Sequence, residues 1–170
     1  MNAADDVEFS AFVRARWSAF ARTAYLLCAG DPGRAEDLVQ TALARTMLAW
    51  PRLHDRGDLD GYVYRVMVRL QASWWQRRWH GEKATAVLPE QVAAADATRV
   101  VDDADELSRA LAQLPRQQRA AVVLRFYEDR SEREVAELLG CSVGSVKTHT
   151  SRGLARLRQI LAVDAERSLG

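Results

Sequence analysis

Apolar residues recur every three or four positions along most of the chain, which is the period of an amphipathic α-helix. The first stripe is Phe9, Val13, Trp17, Phe20, Ala24 and Leu27. Gly30 and Gly33 flank an Asp-Pro pair that predicts the end of this helix, because glycine stops a helix and Pro32 prevents its resumption. No segment shows a convincing strand pattern, so the sequence predicts an all-α fold.

Two further helices are expected before residue 81. The second starts at Asp31 or Pro32 and stops before Pro51. Its apolar side carries Val39, Leu43, Met47 and Trp50. After a polar loop, the third helix runs to about residue 81. Its inner side is expected to carry Tyr62 or Val63, Val66, Leu70 and Trp74.

The periodicity then weakens in an acidic, alanine-rich stretch, and resumes near Leu107. We therefore expect two small helical domains, at 5–80 and 105–165, joined by a flexible acidic linker at 81–104. One helix of the second domain ends at Pro115 and the next spans Arg116 to Tyr127. Either Ala120, Val123 and Tyr127 or Val122 and Phe126 are expected to face inward on that helix.

The end of the second domain predicts a helix-turn-helix. Ser131 and Glu134 have the spacing of a capping box, Gly140 suits a left-handed turn, and Ser142 can cap the final helix. Val146 lies on the inner side of that helix. Its opposite face carries short hydroxyls and long cations, which suit base edges and phosphates. These residues are Ser145, Lys147, Thr148, Ser151 and Arg152.

The net charge of +1 conceals two basic segments, at 61–80 and 141–161, that contain no acidic residue. A near-neutral total therefore does not argue against nucleic acid, because local fields attract the ligand. In the first basic segment, tyrosines and tryptophans interleave with arginines. This composition suits the stacking of unpaired bases and the holding of a single-stranded backbone.

Other chemistry has little support in the sequence. Cys28 and Cys141 are far apart, and no Cys/His set has zinc spacing, so we expect no metal and no cofactor. His54, His80 and His149 are scattered without a nucleophile-base-acid set, so we expect no catalytic activity. No segment is long and apolar enough to insert into a membrane, and the N-terminus lacks a secretory pattern, so a cytoplasmic location is expected.

Three segments together resemble the sigma-70 family of RNA polymerase sigma factors, in its extracytoplasmic-function (ECF) type. They are "AEDLVQTALARTMLAW", "YVYRVMVRLQASWWQRR" and "LPRQQRAAVVLRFYEDRSEREVAELLGCSVGSVKTHTSRGLARLR". The Ser-Trp-Trp run is similar to that of the actinobacterial SigE-like subgroup. The resemblance implies a transcription initiation factor that binds the clamp and flap of core RNA polymerase and reads promoter DNA. It also raises an anti-sigma factor as a further partner.

The resemblance assigns a surface to each partner. The −35 element would be read as duplex by the five residues named above on the last helix. The melted −10 element would contact Arg56, Gly57, Asp58, Tyr62, Arg65, Arg69, Ser73, Trp74 and Arg77. The polymerase clamp would contact Asp37, Leu38, Gln40, Thr41 and Arg45. Many members of the family have Asn where this chain has Arg69, which bears on the −10 sequence that it reads.

A different class of protein also fits part of the pattern. A stand-alone transcriptional regulator would use the same helix-turn-helix in pairs on a palindrome, with the N-terminal helices sensing a ligand or dimerising. The basic aromatic face of the third helix suits a DNA strand better than a ligand pocket, and so favours the sigma factor.

Overall fold

A computed structural model of the chain describes residues 2–53, 57–81 and 100–168. The described residues form α1 (Ala3–Leu27), α2 (Pro32–Ala49), α3 (Leu59–Gly81), α4 (Val100–Ala112), α5 (Arg116–Val122), α6 (Glu132–Leu139) and α7 (Val143–Ser168). A 3-10 turn, Trp50–Arg52, follows α2, and a π-helical segment, Val123–Tyr127, extends α5. The described part of the chain contains no strand, and this confirms the all-α prediction.

The first unit packs α1, α2 and α3 around an apolar core. Phe20, Leu38, Val63 and Met67 are fully buried in it. The predicted break between the first two helices is confirmed: Ala29 and Gly30 have φ of 59° and 79°, and the Asp31 carboxylate caps α2 by accepting from the Arg34 amide at 3.0 Å. Since the chain reverses within four residues, α1 and α2 are antiparallel neighbours.

The second unit, α4 to α7, contains the predicted helix-turn-helix in α6 and α7. The second apolar cluster includes Leu111, Leu114, Val123 and Leu157. Leu26 and Leu27 of α1 belong to this same cluster, so the apolar packing is continuous between the two units. The proposed linker lies largely outside the described residues, which resume at 100.

Several expected core positions are exposed instead. Trp17 and Met47 are 39% and 37% exposed. They lie at the edge of the apolar stripes of α1 and α2, because the core beneath these helices is narrower than the stripes. Phe126 and Tyr127 are also exposed, at 53% and 44%. The π-helical segment explains both, since its wider turn rotates the residues after Leu124 out of the α-helical phase. The turn after α2 also continues through Pro51, which the sequence had placed beyond the last turn.

Gly153 allows α7 to pack closely on α5. A Cβ at this position would lie 2.8 Å from Val122 Cγ2 and 3.4 Å from the Gln118 carbonyl oxygen. Gly153→Ala is therefore expected to lower the free energy of unfolding by about 1 kcal/mol, because overpacking outweighs the better helix propensity of alanine. Urea unfolding of the full chain measures the change.

Gly144, in the first turn of the same helix, provides the matched control. A Cβ there would meet only Ser142 Oγ, at 3.8 Å. Gly144→Ala should leave stability unchanged or raise it slightly. Equal effects of the two substitutions would contradict the close approach at Gly153.

Candidate nucleic-acid and polymerase surfaces

Local hydrogen bonds fix the geometry of the helix-turn-helix. The Ser131 amide donates to Glu134 Oε2 at 2.7 Å and the Glu134 amide donates to Ser131 Oγ at 3.2 Å, so both halves of the predicted capping box form. Gly140 closes α6 with φ of 67°, in the left-handed region that favours glycine. Ser142 Oγ then accepts from the Ser145 amide at 3.0 Å and starts α7.

The outer side of α7 is the recognition face, formed by Ser145, Lys147, Thr148, Ser151 and Arg152. Lys147, Thr148, Ser151 and Arg152 are exposed, and Ser145 is half-buried. Val146 and Thr150 point inward and anchor the helix. Lys147 Nζ lies 3.8 Å from Glu132 Oε2, whereas the Arg152 side chain makes no hydrogen bond or ion pair within the described residues. The face is therefore open to a DNA duplex.

The second candidate surface is the strand surface, formed by Gly57, Asp58, Tyr62, Arg65, Arg69, Ser73, Trp74 and Arg77 around the start and outer side of α3. Arg56, predicted for the same surface, lies outside the described residues. Arg69 and Arg77 are exposed, while Tyr62, Arg65, Ser73 and Trp74 are half-buried. Arg77 donates to Ser73 Oγ at 3.2 Å. Trp75 is half exposed as well, but it lies on the other side of α3 from Arg69 and Arg77.

Asp58 organises the start of α3. Its Oδ1 accepts from the Gly61 amide at 2.8 Å, which caps the helix. The same carboxylate forms an ion pair with Arg130 of the second unit. The Arg130 hydrogen bond is the main cause that lowers the pKa of Asp58 below its ordinary value. Asp58 therefore stays ionised at neutral pH and has a structural role in addition to any contact with DNA.

The third candidate surface is the clamp face of α2. Asp37, Gln40 and Arg45 are exposed and Thr41 is half-buried, at spacings that share one side of the helix. Leu38 was predicted to contact the clamp, and this prediction is wrong because Leu38 is fully buried. It supports this face from the core. Leu48 continues the face one turn further and is 76% exposed. The periodicity of the sequence does not identify Leu48 as a surface residue, because a leucine on an amphipathic helix is ordinarily expected in the core.

The strand surface meets the second unit across a cavity of about 420 Å³. One wall carries Asp58, Tyr62 and Arg65, and the other carries Glu134 and Glu137 of α6. The Arg65 Nε is buried there without a hydrogen-bond partner in the described part of the chain. Tyr62 and Arg65 are thus half-buried beside the second unit, whereas Asp58, Arg69 and Arg77 of the same surface stay exposed.

The chain has two cysteines. Cys28 is buried, and burial raises the pKa of its thiol to about 11. Both cysteines are free thiols. Among the residues that the structure describes, no group of three or more metal-ligating side chains comes together. None of the described helices is long and apolar enough to cross a bilayer.

These features define a class of protein: a two-unit helical DNA-binding protein with a helix-turn-helix and a second basic aromatic surface. Comparison with known proteins gives its family. The model of the family "Sigma-70 region 2" matches residues 9–81, and that of "Sigma-70, region 4" matches residues 104–157. The chain belongs to the sigma-70 family and is an ECF sigma factor, which binds core RNA polymerase and directs it to promoters.

Individual relatives agree with this family. The chain is 43% identical over 155 residues to the RNA polymerase sigma-E factor of Streptomyces coelicolor, covering 91% of this chain and 86% of the relative. It is 26% identical over 142 residues to the ECF sigma factor EcfG of Rhodopseudomonas palustris, covering 83% and 78%. The fold is similar to that of the sigma factor RpoE of Bartonella quintana, solved with the anti-sigma factor NepR. That match has a TM-score of 0.70 and 23% identity, and covers 92% of this chain and 98% of that one.

Proposed function

We propose that each of the three surfaces serves one step of promoter recognition. The recognition face of α7 reads the −35 element as duplex. The strand surface of α3 holds the melted −10 element, and the clamp face of α2 binds the clamp of core polymerase. The second unit also binds the polymerase flap. This protein contributes no catalytic group, since nucleotide polymerisation belongs to the partner enzyme.

The observation that supports this division best is the open, acid-free recognition face. Arg152 has no partner within the described residues, and Lys147 has only a long contact to Glu132. Uncompensated cations next to short hydroxyls on an exposed helix suit phosphates and base edges. Arg69 and Arg77, exposed on α3, give the strand surface its charge, and the half-buried Tyr62 and Trp74 give it aromatic area on which bases can stack.

The tether between the surfaces has a physical purpose. Promoter elements lie tens of ångströms apart, so one small unit cannot reach both. Linking two weak interfaces raises the effective concentration of the second after the first has bound. Each unit alone should bind DNA weakly and with steep salt dependence.

The regulation and the compartment of the protein belong to the same proposal. An anti-sigma factor is a suitable regulatory partner, since the structurally similar RpoE was solved with one. The cytoplasm is the expected compartment, because that is where a bacterial polymerase and its promoters are.

Transcription in vitro tests the proposal. Core polymerase is incubated with genomic DNA fragments in the presence and absence of the full chain, and transcript 5′ ends are sequenced. We expect a set of start sites that appears only with the chain and shares two upstream elements. An absence of new start sites would contradict the proposal. Gel filtration of the purified chain distinguishes a sigma factor from a stand-alone transcriptional regulator. A constitutive dimer would favour the regulator, because such a protein binds palindromes in pairs.

A further inference from the structure

We infer that Arg16 of α1 is a positioning residue for −10 recognition. It holds Asp60, and through Asp60 it fixes the first turn of α3 in the orientation in which the strand surface meets DNA. This inference rests on the proposed −10 role of α3. It adds a residue that acts on the strand surface from a neighbouring helix, without itself contacting the strand.

Three pairs among the described residues form one line of contacts between α1 and α3. The two members of each pair are 44 positions apart in the sequence. Because this offset is constant, the two helices run parallel in register, and each pair fixes one level of α3. The pair nearest the start of α3 therefore controls the level at which the strand surface begins. In order along α3, the pairs are Arg16 with Asp60, Phe20 with Tyr64, and Leu27 with Gln71.

The contact between Arg16 and Asp60 is bidentate. Arg16 Nε donates to Asp60 Oδ1 at 3.0 Å, and Arg16 Nη2 forms an ion pair with Asp60 Oδ2. The hydrogen bond to Asp60 is the main cause that raises the pKa of Arg16 above its ordinary value. A guanidinium that binds both carboxylate oxygens fixes the orientation of the carboxylate as well as its distance. The Arg16 guanidinium also lies 5.7 Å from the centre of the buried Phe20 ring, so it packs against the core.

Asp60 lies between residues that shape the start of the strand surface. Asp58 precedes it by two positions and accepts from the Gly61 amide, and Tyr62 follows it by two positions. Gly61 is required by this cap, since a Cβ there would overlap the Asp58 carboxylate. The first turn is therefore tightly packed between Asp58 and Tyr62. A change in the orientation of Asp60 should change the orientation of both neighbours.

The pair between Arg16 and Asp60 contributes orientation more than stability. The Arg16 side chain is 38% exposed and the Asp60 side chain is 27% exposed. Water screens an ion pair at such exposure, so it contributes little to the free energy of unfolding. The buried rings of Phe20 and Tyr64, one turn further along, pack edge to face with their centres 5.5 Å apart and hold the two helices together. Loss of the ion pair should therefore loosen the first turn of α3 and preserve the fold.

Binding of single-stranded DNA by the holoenzyme, formed from core polymerase and the full chain, tests the inference. The probe is a fluorescein-labelled non-template strand with the −10 element of one of the start sites mapped in vitro. A strand of the same composition in scrambled order is the reference. The readout is the ratio of the two affinities, measured by anisotropy. Arg16→Ala should lower this ratio about fivefold, because ordering the first turn of α3 then costs binding free energy.

Asp60→Ala separates positioning from charge. It removes an acid next to the strand surface, so electrostatics alone would strengthen the binding of both strands. Positioning predicts instead that the affinity ratio falls about fivefold, as with Arg16→Ala. In the double variant the ratio should fall no further than in either single variant, because both act through one contact. Arg16→Lys keeps the charge without the bidentate geometry and should give an intermediate ratio.

Arg14→Ala is the matched control. Arg14 is exposed on α1, two positions before Arg16 and therefore on the other side of the helix. Its replacement should leave the affinity ratio and the binding of −35 duplex unchanged. Arg69→Ala changes the strand surface itself and should lower the ratio. Far-UV circular dichroism checks that each variant is folded, and if Arg16→Ala unfolds, Arg16→Lys and Asp60→Ala decide in the same way.

The outcomes separate this inference from the proposed function. A lower ratio with Arg69→Ala and an unchanged ratio with Arg16→Ala would overturn the positioning role and leave the −10 assignment of α3 intact. A wild-type holoenzyme that binds both strands equally would remove the assignment and the positioning role together. An equal loss with Arg14→Ala, or losses that add in the double variant, would show that Arg16 does not act through Asp60.

Discussion

Arg152→Glu is expected to lower initiation at −35-dependent promoters about 100-fold while leaving association with core polymerase unchanged. The side chain is exposed and has no partner within the described residues, so its loss should not disturb the fold. One well-placed arginine contributes about 1–3 kcal/mol to DNA discrimination, and the introduced carboxylate repels phosphate in addition. In vitro transcription from one of the mapped start sites measures the effect, and co-purification with core polymerase measures the association.

Arg167→Glu is the matched control for this prediction. It makes the same change in net charge on the same helix, and Arg167 is also exposed. It lies 15 residues further along α7, about 22 Å at 1.5 Å per residue, and so beyond the recognition face. A comparable loss with Arg167→Glu would mean that net charge matters more than the face. A loss of core association with Arg152→Glu would refute the separation of DNA and polymerase surfaces.

The helix boundaries could be predicted because their signals are local. Asp31 with Pro32, Ser131 with Glu134, and Gly140 each act within four residues, and each forms the expected cap or turn. A cap needs only its own side chain and the neighbouring amides, so the sequence contains all the information that it requires. The same holds for the inward side of α7, where Val146 and Leu157 follow the helical period.

The errors arose where tertiary structure decides. The helical period predicts which side of a helix faces the core. The width of the core on that side depends on the helices packed against it, so the prediction that Trp17 and Met47 are buried is wrong. The π-helical turn at Val123–Tyr127 changed the phase of one helix without a local signal. Leu38 was predicted to contact the clamp and is buried, whereas Leu48, for which no role was predicted, is exposed, because only the fold distinguishes two leucines on one amphipathic helix.

The contact between the two units could not be predicted from the sequence. Glu128 lies 105 positions from Thr23 and 64 from Tyr64, and nothing in their neighbourhoods marks them as partners. The periodic patterns of the two units are separated by a weakly patterned stretch, so the sequence predicts two units joined by a linker and no contact between them. Their shared apolar cluster shows that each helix face can serve both its own unit and the contact. The accessibility of a predicted site thus depends on packing that is absent from its own segment.

Replacing Asp37 and Gln40 together by alanine is expected to weaken association with core polymerase about 30-fold. Both residues are exposed on the clamp face, and within the described residues Gln40 Nε2 donates only to Glu36 Oε1, at 2.9 Å, on the same helix. Their removal leaves the buried Leu38 and Val39 untouched, so the fold should persist. Interface residues of this kind contribute about 1 kcal/mol each, and a central pair contributes more. Titration of labelled core polymerase measures the affinity.

Glu106→Ala combined with Gln113→Ala is the matched control, since it removes one acid and one amide from exposed positions on and directly after α4, in the second unit. It should leave the affinity for core polymerase unchanged. The Asp37/Gln40 variant should still bind −35 duplex with wild-type affinity, because α7 lies on the other unit. Unchanged co-purification of that variant with polymerase would contradict the clamp assignment. A parallel loss of duplex binding would instead indicate that α2 and α7 are coupled through the contact between the units.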